Sequence, residues 1–190
     1  EEFVRELEKT AEENNIPAGT AGERDPRLDH GTMIPLRFIQ KAWDPNKKPF
    51  KIVRIGLSGE SLLTHYEFGK CIAEVAEKLN RRTVFVASGD LSHRLKEDGP
   101  YGFVKEGPIF DQQITNIMRS GNFSEIFNLD PHLCDQAGEC GLRSFVIMAG
   151  ALDGKQIEPE LLSYEGTFGV GYAVASFKIK GIDENSRFNR

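Results

Sequence analysis

The stretch TVFVASGDLSHRL, Thr83 to Leu95, contains an apolar run that changes abruptly into a polar cluster. Its first five residues have the continuous apolar character of a buried strand. Gly89 allows a sharp turn, and Asp90 and His93 follow it, where a histidine can accept and donate protons near neutral pH. Since ligand sites in open α/β sheets lie beyond the carboxyl ends of the strands, the pattern predicts a functional site here. The alternative is that Asp90 and Ser92 cap a helix and His93 is an exposed loop residue.

The composition is typical of one ordinary globular domain. The chain has 190 residues, of which 39% are hydrophobic, which is enough for a sizeable core and too many for a disordered chain. No apolar run is long enough to cross a membrane, and a net charge of −5 argues against nucleic acid as the main partner. The three cysteines form no disulfide framework and no signal peptide precedes them, so we expect a cytoplasmic protein.

Apolar periodicity predicts alternating strands and helices. Strands are predicted at Phe50–Ser58 and Thr83–Ala87, with a helix at Glu60–Asn80 between them. Further helices are predicted at 1–15, 107–121, 122–129 and 135–154, and one or two strands at 160–180. We expect the first two strands to lie in one sheet with the intervening helix packed on it. The predicted fold is therefore α/β, with a mostly parallel or mixed sheet flanked by helices.

The two ends of the chain indicate a piece of a longer protein. The sequence opens inside an amphipathic helical pattern without an initiator Met, and it closes on the polar stretch KGIDENSRFNR. We therefore expect one domain over residues 1–180 and a linker over residues 181–190 that leads to a further domain.

Two more stretches carry side chains suited to chemistry. RLDHGTMIPLRFI places Asp29, His30 and Gly31 before an apolar helix. Asp29 is explained as a helix cap, Gly31 permits close backbone approach, and His30 has no comparable structural role. DQAGECGLRSF places Glu139 and Cys140 at a helix start, where partial positive charge favours an ionised carboxylate or thiolate. Simple charge complementarity with the helix is the alternative for Glu139.

The remaining histidines have weaker patterns. His65 lies inside a predicted helix and is expected to be either a hydrogen-bonded or an exposed helical residue, without a role in the site. His132 lies in a connection beside Cys134, but with Cys140 it forms an irregular set without a paired C-x-x-C, which does not favour zinc.

Together, DHGTMIPL, SGDLSHRL and GECGLRS resemble the LigB-like superfamily of class III extradiol ring-cleaving dioxygenases. They look most like its Memo-like branch, which is associated with the AmmeMemoRadiSam system, and the resemblance extends from Asp25 to Ile179. It implies an iron(II)-dependent ring-opening dioxygenase that acts on a small catechol-like aromatic substrate with dioxygen. The alternative that it implies is a Memo-like protein for metal handling, redox chemistry or protein association. Another divalent metal in place of Fe(2+) and a homo-oligomeric state are compatible with either.

The same resemblance implies roles for individual residues. His93 matches the acid–base position, with Asp90 beside it, and His30 matches a position that touches the substrate or dioxygen. Glu139 would be the carboxylate ligand of the metal, with Cys140 as the alternative. We expect the side chains of His30, His93 and Glu139 to line one concavity.

The two histidine ligands of such a site are expected in segments that precede Glu1. On this reading, residues 1–180 are a partial catalytic domain whose N-terminal strands are missing. The missing N-terminal segment of the same protein would then be a partner, and the chain alone would bind iron weakly and be inactive.

Overall fold

The computed structural model describes residues 1–22, 25 and 27–183. This part of the chain is a mixed α/β structure, as predicted, with six α-helices, one 3-10 helix and two strands. The helices are α1 (Glu2–Glu13), α2 (His30–Ala42), α3 (Leu62–Lys78), α4 (Glu106–Ser120), α5 (Pro131–Ala137) and α6 (Leu142–Ala151), and the 3-10 helix is Phe123–Asn128. The strands are β1 (Lys155–Glu165) and β2 (Tyr172–Ile182). Most of the predicted linker, residues 184–190, lies outside the described residues.

Helices α3 and α6 cross in the core at a contact between two glycines. A Cβ atom on Gly69 would lie 2.0 Å from the carbonyl oxygen of Ile147, and one on Gly150 would lie 1.9 Å from that of Tyr66. Because neither position has space for a side chain, the two helix backbones approach each other directly. Tyr66 belongs to the main core cluster together with Phe110 of α4, which is fully buried. Within the described residues, no helix is both long enough and apolar enough to cross a membrane.

Strands β1 and β2 form an antiparallel hairpin that packs on α4. Their Cα partners run from Lys155 and Ile182 to Glu165 and Tyr172, with two irregularities in register. One face of the hairpin contacts the main core through Ile157, Leu161, Ala173, Ala175 and Phe177. The prediction of one or two strands near the end of the chain is confirmed, with two strands.

The predicted parallel strands do not form a sheet. Residues 50–58 and 83–87 take no part in a β-ladder, and the one sheet of the described chain is the β1–β2 pair. Ile55 and Phe85 do pack against a core cluster built from α1, α3 and α6, so one side of each run faces the helices as expected. The other side is open, and Val84 is 88% exposed. A strand needs a hydrogen-bonding neighbour, and no described segment pairs with either run.

The predicted helix at residues 135–154 is two helices. Helix α5 ends at Ala137 because Gly138 has a left-handed conformation, with φ of 64°. Helix α6 then begins at Leu142. The intervening turn carries Glu139 and Cys140, so the break in the helix is what presents these two side chains.

Helix α2 lies on the surface with its apolar side uncovered. Its start is explained by the predicted cap, because the carboxylate of Asp29 accepts a hydrogen bond from the amide of Thr32 at 2.9 Å. None of its residues is buried, and Met33, Ile34 and Phe38 are each at least half exposed.

Candidate functional site

The segment that carries Asp90 and His93 is held by backbone hydrogen bonds from both sides. The amide of Leu91 donates to the carbonyl of Gly171 at 2.9 Å, and the amide of Gly171 donates to the carbonyl of Ser92 at 2.7 Å. The amide of His93 donates to the carbonyl of Ala137, the last residue of α5, at 3.1 Å. The hairpin and α5 therefore fix the backbone on which the two predicted side chains stand.

The turn with Cys140 docks against the same segment backbone to backbone. The amide of Cys140 donates to the carbonyl of Asp90 at 3.2 Å, and the amide of Asp90 donates to Sγ of Cys140 at 3.1 Å. A Cβ atom on Gly89 would lie only 2.4 Å from Cα of Gly141. The predicted close approach at Gly89 is therefore present, and it brings two stretches of sequence about 50 residues apart into contact.

Asp90, His93 and Cys140 form a compact group of candidate metal ligands. One ligand atom of each lies within 4.8 Å of the other two. Nε2 of His93 is 3.4 Å from Oδ2 of Asp90 and 3.9 Å from Sγ of Cys140. Partial burial raises the pKa of the Cys140 thiol, while the amide of Asp90 opposes this effect. Oxygen, nitrogen and sulfur donors on one side of a divalent transition metal are chemically compatible, and metal binding would deprotonate the thiol.

Two tyrosines that the sequence did not single out border this group. The ring of Tyr101 stacks on that of His93, with 5.1 Å between centroids and 24° between planes. Partial burial raises the pKa of Tyr172, and the neighbouring Asp90, Tyr101 and Cys140 add to the effect. An aromatic residue within the Gly-Pro-Tyr-Gly loop at residues 99–102 was the available sequence signal for Tyr101.

Glu139 lies beside the group, with its carboxylate directed at the start of α6. Oε2 accepts a hydrogen bond from the amide of Leu142 at 2.7 Å. Burial raises the pKa of Glu139, while the hydrogen bond from Leu142, the charge of Arg143 and, more weakly, His93 act in the opposite direction. Glu139 is thus close enough to His93 to interact electrostatically, yet its oxygens are outside the ligand group found among the described residues.

His30 stands at the exposed first turn of α2, and the turn is tied to the site indirectly. Oγ of Ser88 donates to the carbonyl of Gly31 at 2.6 Å, and the carbonyl of Ser88 accepts from Oγ of Ser144 in α6 at 2.9 Å. A Cβ atom on Gly31 would meet its nearest neighbours at 3.8 Å or more, so the expected close approach at Gly31 is not present. His30 itself is not in the ligand group of the described residues, and its place in a shared concavity stays a prediction.

The other histidines and cysteines lie elsewhere. His65 is buried in α3, and its Nδ1 lies 2.8 Å from the carbonyl oxygen of Ser61, which confirms a structural environment. His132 is exposed in the first turn of α5, and burial raises the pKa of Cys134 to about 11. In the part of the chain that is described, these two do not join Cys140 in a metal-binding group.

Comparison with known proteins gives a consistent set of relatives. A protein of Clostridium acetobutylicum is 48% identical and covers 77% of this chain, which spans 31% of that protein's length. The 2-aminophenol 1,6-dioxygenase beta subunit of a Pseudomonas species is 28% identical over 93% of this chain and 64% of its own length. A MEMO1 family protein of Pyrococcus furiosus is 30% identical over 76% of this chain and 51% of its own length. The chain thus spans about a third to two thirds of the length of these curated relatives.

A family model covers nearly the whole chain. The model described as the catalytic LigB subunit of aromatic ring-opening dioxygenase matches residues 1–175. This match includes the Asp90 segment, the Cys140 turn and most of the scaffold that joins them. The chain belongs to the LigB family.

Proposed function

We propose that this chain supplies the acid–base residue and part of the metal site of a non-haem iron(II)-dependent extradiol ring-opening dioxygenase. Its substrate would be a catechol-like aromatic compound. The observation that carries the proposal is the convergence of Asp90, His93 and Cys140 in a chain of the LigB family. The similarity to a subunit named as a 2-aminophenol 1,6-dioxygenase supports the reaction class.

His93 is the proposed acid–base residue. Its Nε2 lies 3.4 Å from Oδ2 of Asp90, a distance at which the carboxylate can orient the imidazole ring. The stacked ring of Tyr101 restricts rotation of the imidazole. In this arrangement His93 takes a phenolic proton from the substrate and returns a proton when the ring opens. His30, at the tethered start of α2, would approach the same substrate from the α2 side.

The chain offers two candidates for the anionic metal ligand. Glu139 matches the carboxylate of a two-histidine, one-carboxylate site, but its oxygen is engaged by the amide of Leu142. Cys140 has its sulfur in the same group as His93 and Asp90. We therefore propose Cys140 as the ligand contributed by this turn, with Glu139 as the alternative. Iron(II) held here would act as the Lewis acid that brings the two catechol oxygens and dioxygen together.

A second candidate function is metal binding or redox chemistry without ring cleavage, as in a Memo-like protein. The specific observation in its favour is that a thiol, Sγ of Cys140, lies in the group with Asp90 and His93, whereas an oxygenase site has a carboxylate as its anionic ligand. The similarity to a MEMO1 family protein is in line with this alternative.

The deciding experiment compares three variants of the full-length protein, His93→Gln, Cys140→Ser and Glu139→Gln. Bound iron and the ring-opened product of a catechol are measured for each, with His132→Gln as the control at an exposed histidine outside the group. We expect His93→Gln to lower turnover by about 100-fold or more with iron content nearly unchanged. Cys140→Ser should lower the iron content, while Glu139→Gln should retain iron.

Each departure from this pattern has a definite meaning. Loss of iron in His93→Gln would make His93 a ligand rather than the acid–base residue. Loss of iron in Glu139→Gln, with retention in Cys140→Ser, would identify Glu139 rather than Cys140 as the ligand. Metal binding without ring-opened product in the unaltered protein, even with iron and dioxygen supplied, would favour the Memo-like function.

We also propose that a further segment of the same polypeptide covers the open side of the two extended runs. Val84 and Val86 in one run and Ile52 and Leu57 in the other are 47% or more exposed. Extended apolar backbone without a ladder partner is suited to pairing with another β-strand. The greater length of the curated relatives provides a source for such a strand.

The pairing is tested by co-expressing this chain with the preceding part of the full-length polypeptide. We expect the two pieces to purify together, and Val84→Asp to separate them. Val174→Asp changes a half-exposed valine of β2 in the same way and should have no effect. Association of the chain with itself alone would indicate a homo-oligomer instead, and absence of any association would refute the proposal.

A cytoplasmic location is part of the same proposal. All three cysteines, Cys71, Cys134 and Cys140, are free thiols in the structure. Free thiols are in keeping with a reducing compartment.

A further inference from the structure

A buried carboxylate lies directly beneath the segment that carries the candidate site. Asp111 of α4 is only 1% exposed. Its Oδ1 accepts a hydrogen bond from the amide of Ser92 at 2.7 Å, and its Oδ2 accepts one from the hydroxyl of Tyr164 in β1 at 2.6 Å. Both oxygens are therefore engaged, and the carboxylate connects α4, β1 and the segment at residues 90–93.

Ser92 is the residue through which this connection reaches the site. It lies between Asp90 and His93 in the chain and is fully buried. Its hydroxyl donates to the carbonyl of Ala137 at 3.0 Å, the same carbonyl that accepts from the amide of His93. Rotation of the Ser92 peptide would thus change the directions of both Asp90 and His93.

The space around the Asp111 carboxylate leaves little room for another arrangement. A Cβ atom on Gly171 would lie 2.0 Å from Oδ2 of Asp111, and one on Gly107 would lie 2.7 Å from Oγ of Ser92. Glycine at these positions lets the hairpin and α4 close around the carboxylate and the serine. The segment at residues 90–93 is therefore enclosed tightly by the hairpin and α4 and has little space to move.

We propose that Asp111 and Tyr164 are positioning residues that hold Asp90 and His93 in the orientation that meets Cys140. This inference rests on the proposed function, in which Cys140, held by two hydrogen bonds to the backbone of Asp90, is the metal ligand and His93 is the acid–base residue beside it. Neither Asp111 nor Tyr164 belongs to the ligand group itself; they act through the amide of Ser92. Their contribution is geometric rather than electrostatic, because the amide of Ser92 needs only a hydrogen-bond acceptor at the position of Oδ1 of Asp111.

A geometric role predicts different effects for two substitutions, Asp111→Asn, which removes the charge, and Tyr164→Phe, which removes a hydrogen-bond donor. Asp111→Asn keeps an oxygen for the Ser92 amide and places an amide group toward the Tyr164 oxygen, which can then accept. Tyr164→Phe removes the hydroxyl and leaves Oδ2 of a buried carboxylate without this donor. Thr115→Val is the matched control, since the buried hydroxyl of Thr115 in the same helix donates only to the backbone carbonyls of Asp111 and Gln112, and its hydrogen bonds reach neither the Asp111 carboxylate nor Ser92.

The experiment measures two quantities on the full-length protein, Co(II) affinity and hydrogen exchange of residues 90–95. We expect Tyr164→Phe to weaken Co(II) binding by about tenfold or more, the scale found when a residue that orients ligands is lost. Exchange of the 90–95 amides should become about fivefold faster, as for loss of one hydrogen bond. Asp111→Asn should keep both quantities near the unaltered values, because the Ser92 amide retains its acceptor, and Thr115→Val should leave both unchanged.

The outcomes separate the positioning role from the proposed function. Equal losses in Tyr164→Phe and Thr115→Val, or a loss in Asp111→Asn as large as that in Tyr164→Phe, would overturn the positioning role. If the unaltered protein binds no Co(II), the proposed metal site fails, and the exchange rates alone then decide whether Asp111 and Tyr164 hold the segment. In that case, faster hydrogen exchange at residues 90–95 in Tyr164→Phe, but not in Thr115→Val, would still support the positioning role.

Discussion

Replacing Gly89 with Ala should separate the two halves of the candidate site. The added Cβ would lie 2.4 Å from Cα of Gly141 and 2.9 Å from the carbonyl oxygen of Cys140, both of them backbone atoms. Ordinary contact begins at 3.4 Å, so the two backbones must move apart by about 1 Å (3.4 − 2.4). The 3.1 Å contact from the Asp90 amide to Sγ of Cys140 would then lengthen to about 4 Å, beyond a normal hydrogen bond.

The expected free-energy change follows from the same contacts. Overpacking of a closed site costs about 1–3 kcal/mol. The two hydrogen bonds between Asp90 and Cys140 contribute about 1 kcal/mol each. Gly89→Ala should therefore lower the free energy of unfolding by about 3–5 kcal/mol, which corresponds to a Tm lower by roughly 6 °C or more for a chain of this size.

Thermal unfolding followed by circular dichroism measures this effect, and Co(II) titration measures the loss of the ligand group. Gly31→Ala is the matched control, because its Cβ would meet no atom closer than 3.8 Å and alanine favours the helix in which it lies. We expect its Tm to be unchanged or slightly higher. A Gly89→Ala protein with a Tm within about 2 °C of the unaltered protein and full Co(II) affinity would refute the reasoning.

Three further predictions concern pH dependence, packing and thiol access. Burial raises the pKa of Asp111 despite hydrogen bonds from Tyr164 and Ser92, so its contribution to stability is fully present below its ordinary pKa of 3.8 and is lost as the pH rises through the higher folded-state value. Urea unfolding at a series of pH values should show the unaltered protein losing stability relative to Asp111→Asn as the pH rises, and a constant difference would contradict the assignment. Gly150→Ala should destabilise the protein by about 1–3 kcal/mol or more in the same assay, since its Cβ would lie 1.9 Å from a helix carbonyl, and a neutral effect would mean that α3 and α6 can move apart. Iodoacetamide, followed by mass spectrometry, should label exposed Cys140 before buried Cys71, with Co(II) slowing the first reaction, and indifference to Co(II) would count against the thiol as a ligand.

Local sequence patterns predicted the helices and their caps well. The apolar periodicities of α1, α3 and α4 identified these helices to within a few residues, and the cap at Asp29 follows from its position before an apolar run. These features depend on contacts among residues close in sequence, which is why the pattern alone reveals them. The grouping of the SGDLSH and GEC stretches at one site also follows from sequence, through the resemblance of the motifs to a family.

The sheet could not be predicted in the same way. Residues 50–58 and 83–87 have the composition of strands, but a β-ladder is a contact between segments, and the described chain provides no neighbour for either run. The apolar character of a run therefore predicts that it packs against other parts of the protein, as the partly buried Ile55 and Phe85 do, without determining which backbone it pairs with. The left-handed turn at Gly138 was likewise hidden inside an otherwise helical pattern.

Sequence alone determined the chemical types present at the candidate site, because Asp90 and His93 follow an apolar run that ends at Gly89, and Cys140 lies between two glycines at a predicted helix start. Only the tertiary structure decided which of them meet. Sγ of Cys140 lies in the group with Asp90 and His93, whereas Oε2 of Glu139 accepts a hydrogen bond from the amide of Leu142 at the start of α6. Tyr101 contacts His93 from a separate loop, and Asp111 of α4 contacts the amide of Ser92. Such contacts depend on how different elements of the chain pack together rather than on any local pattern.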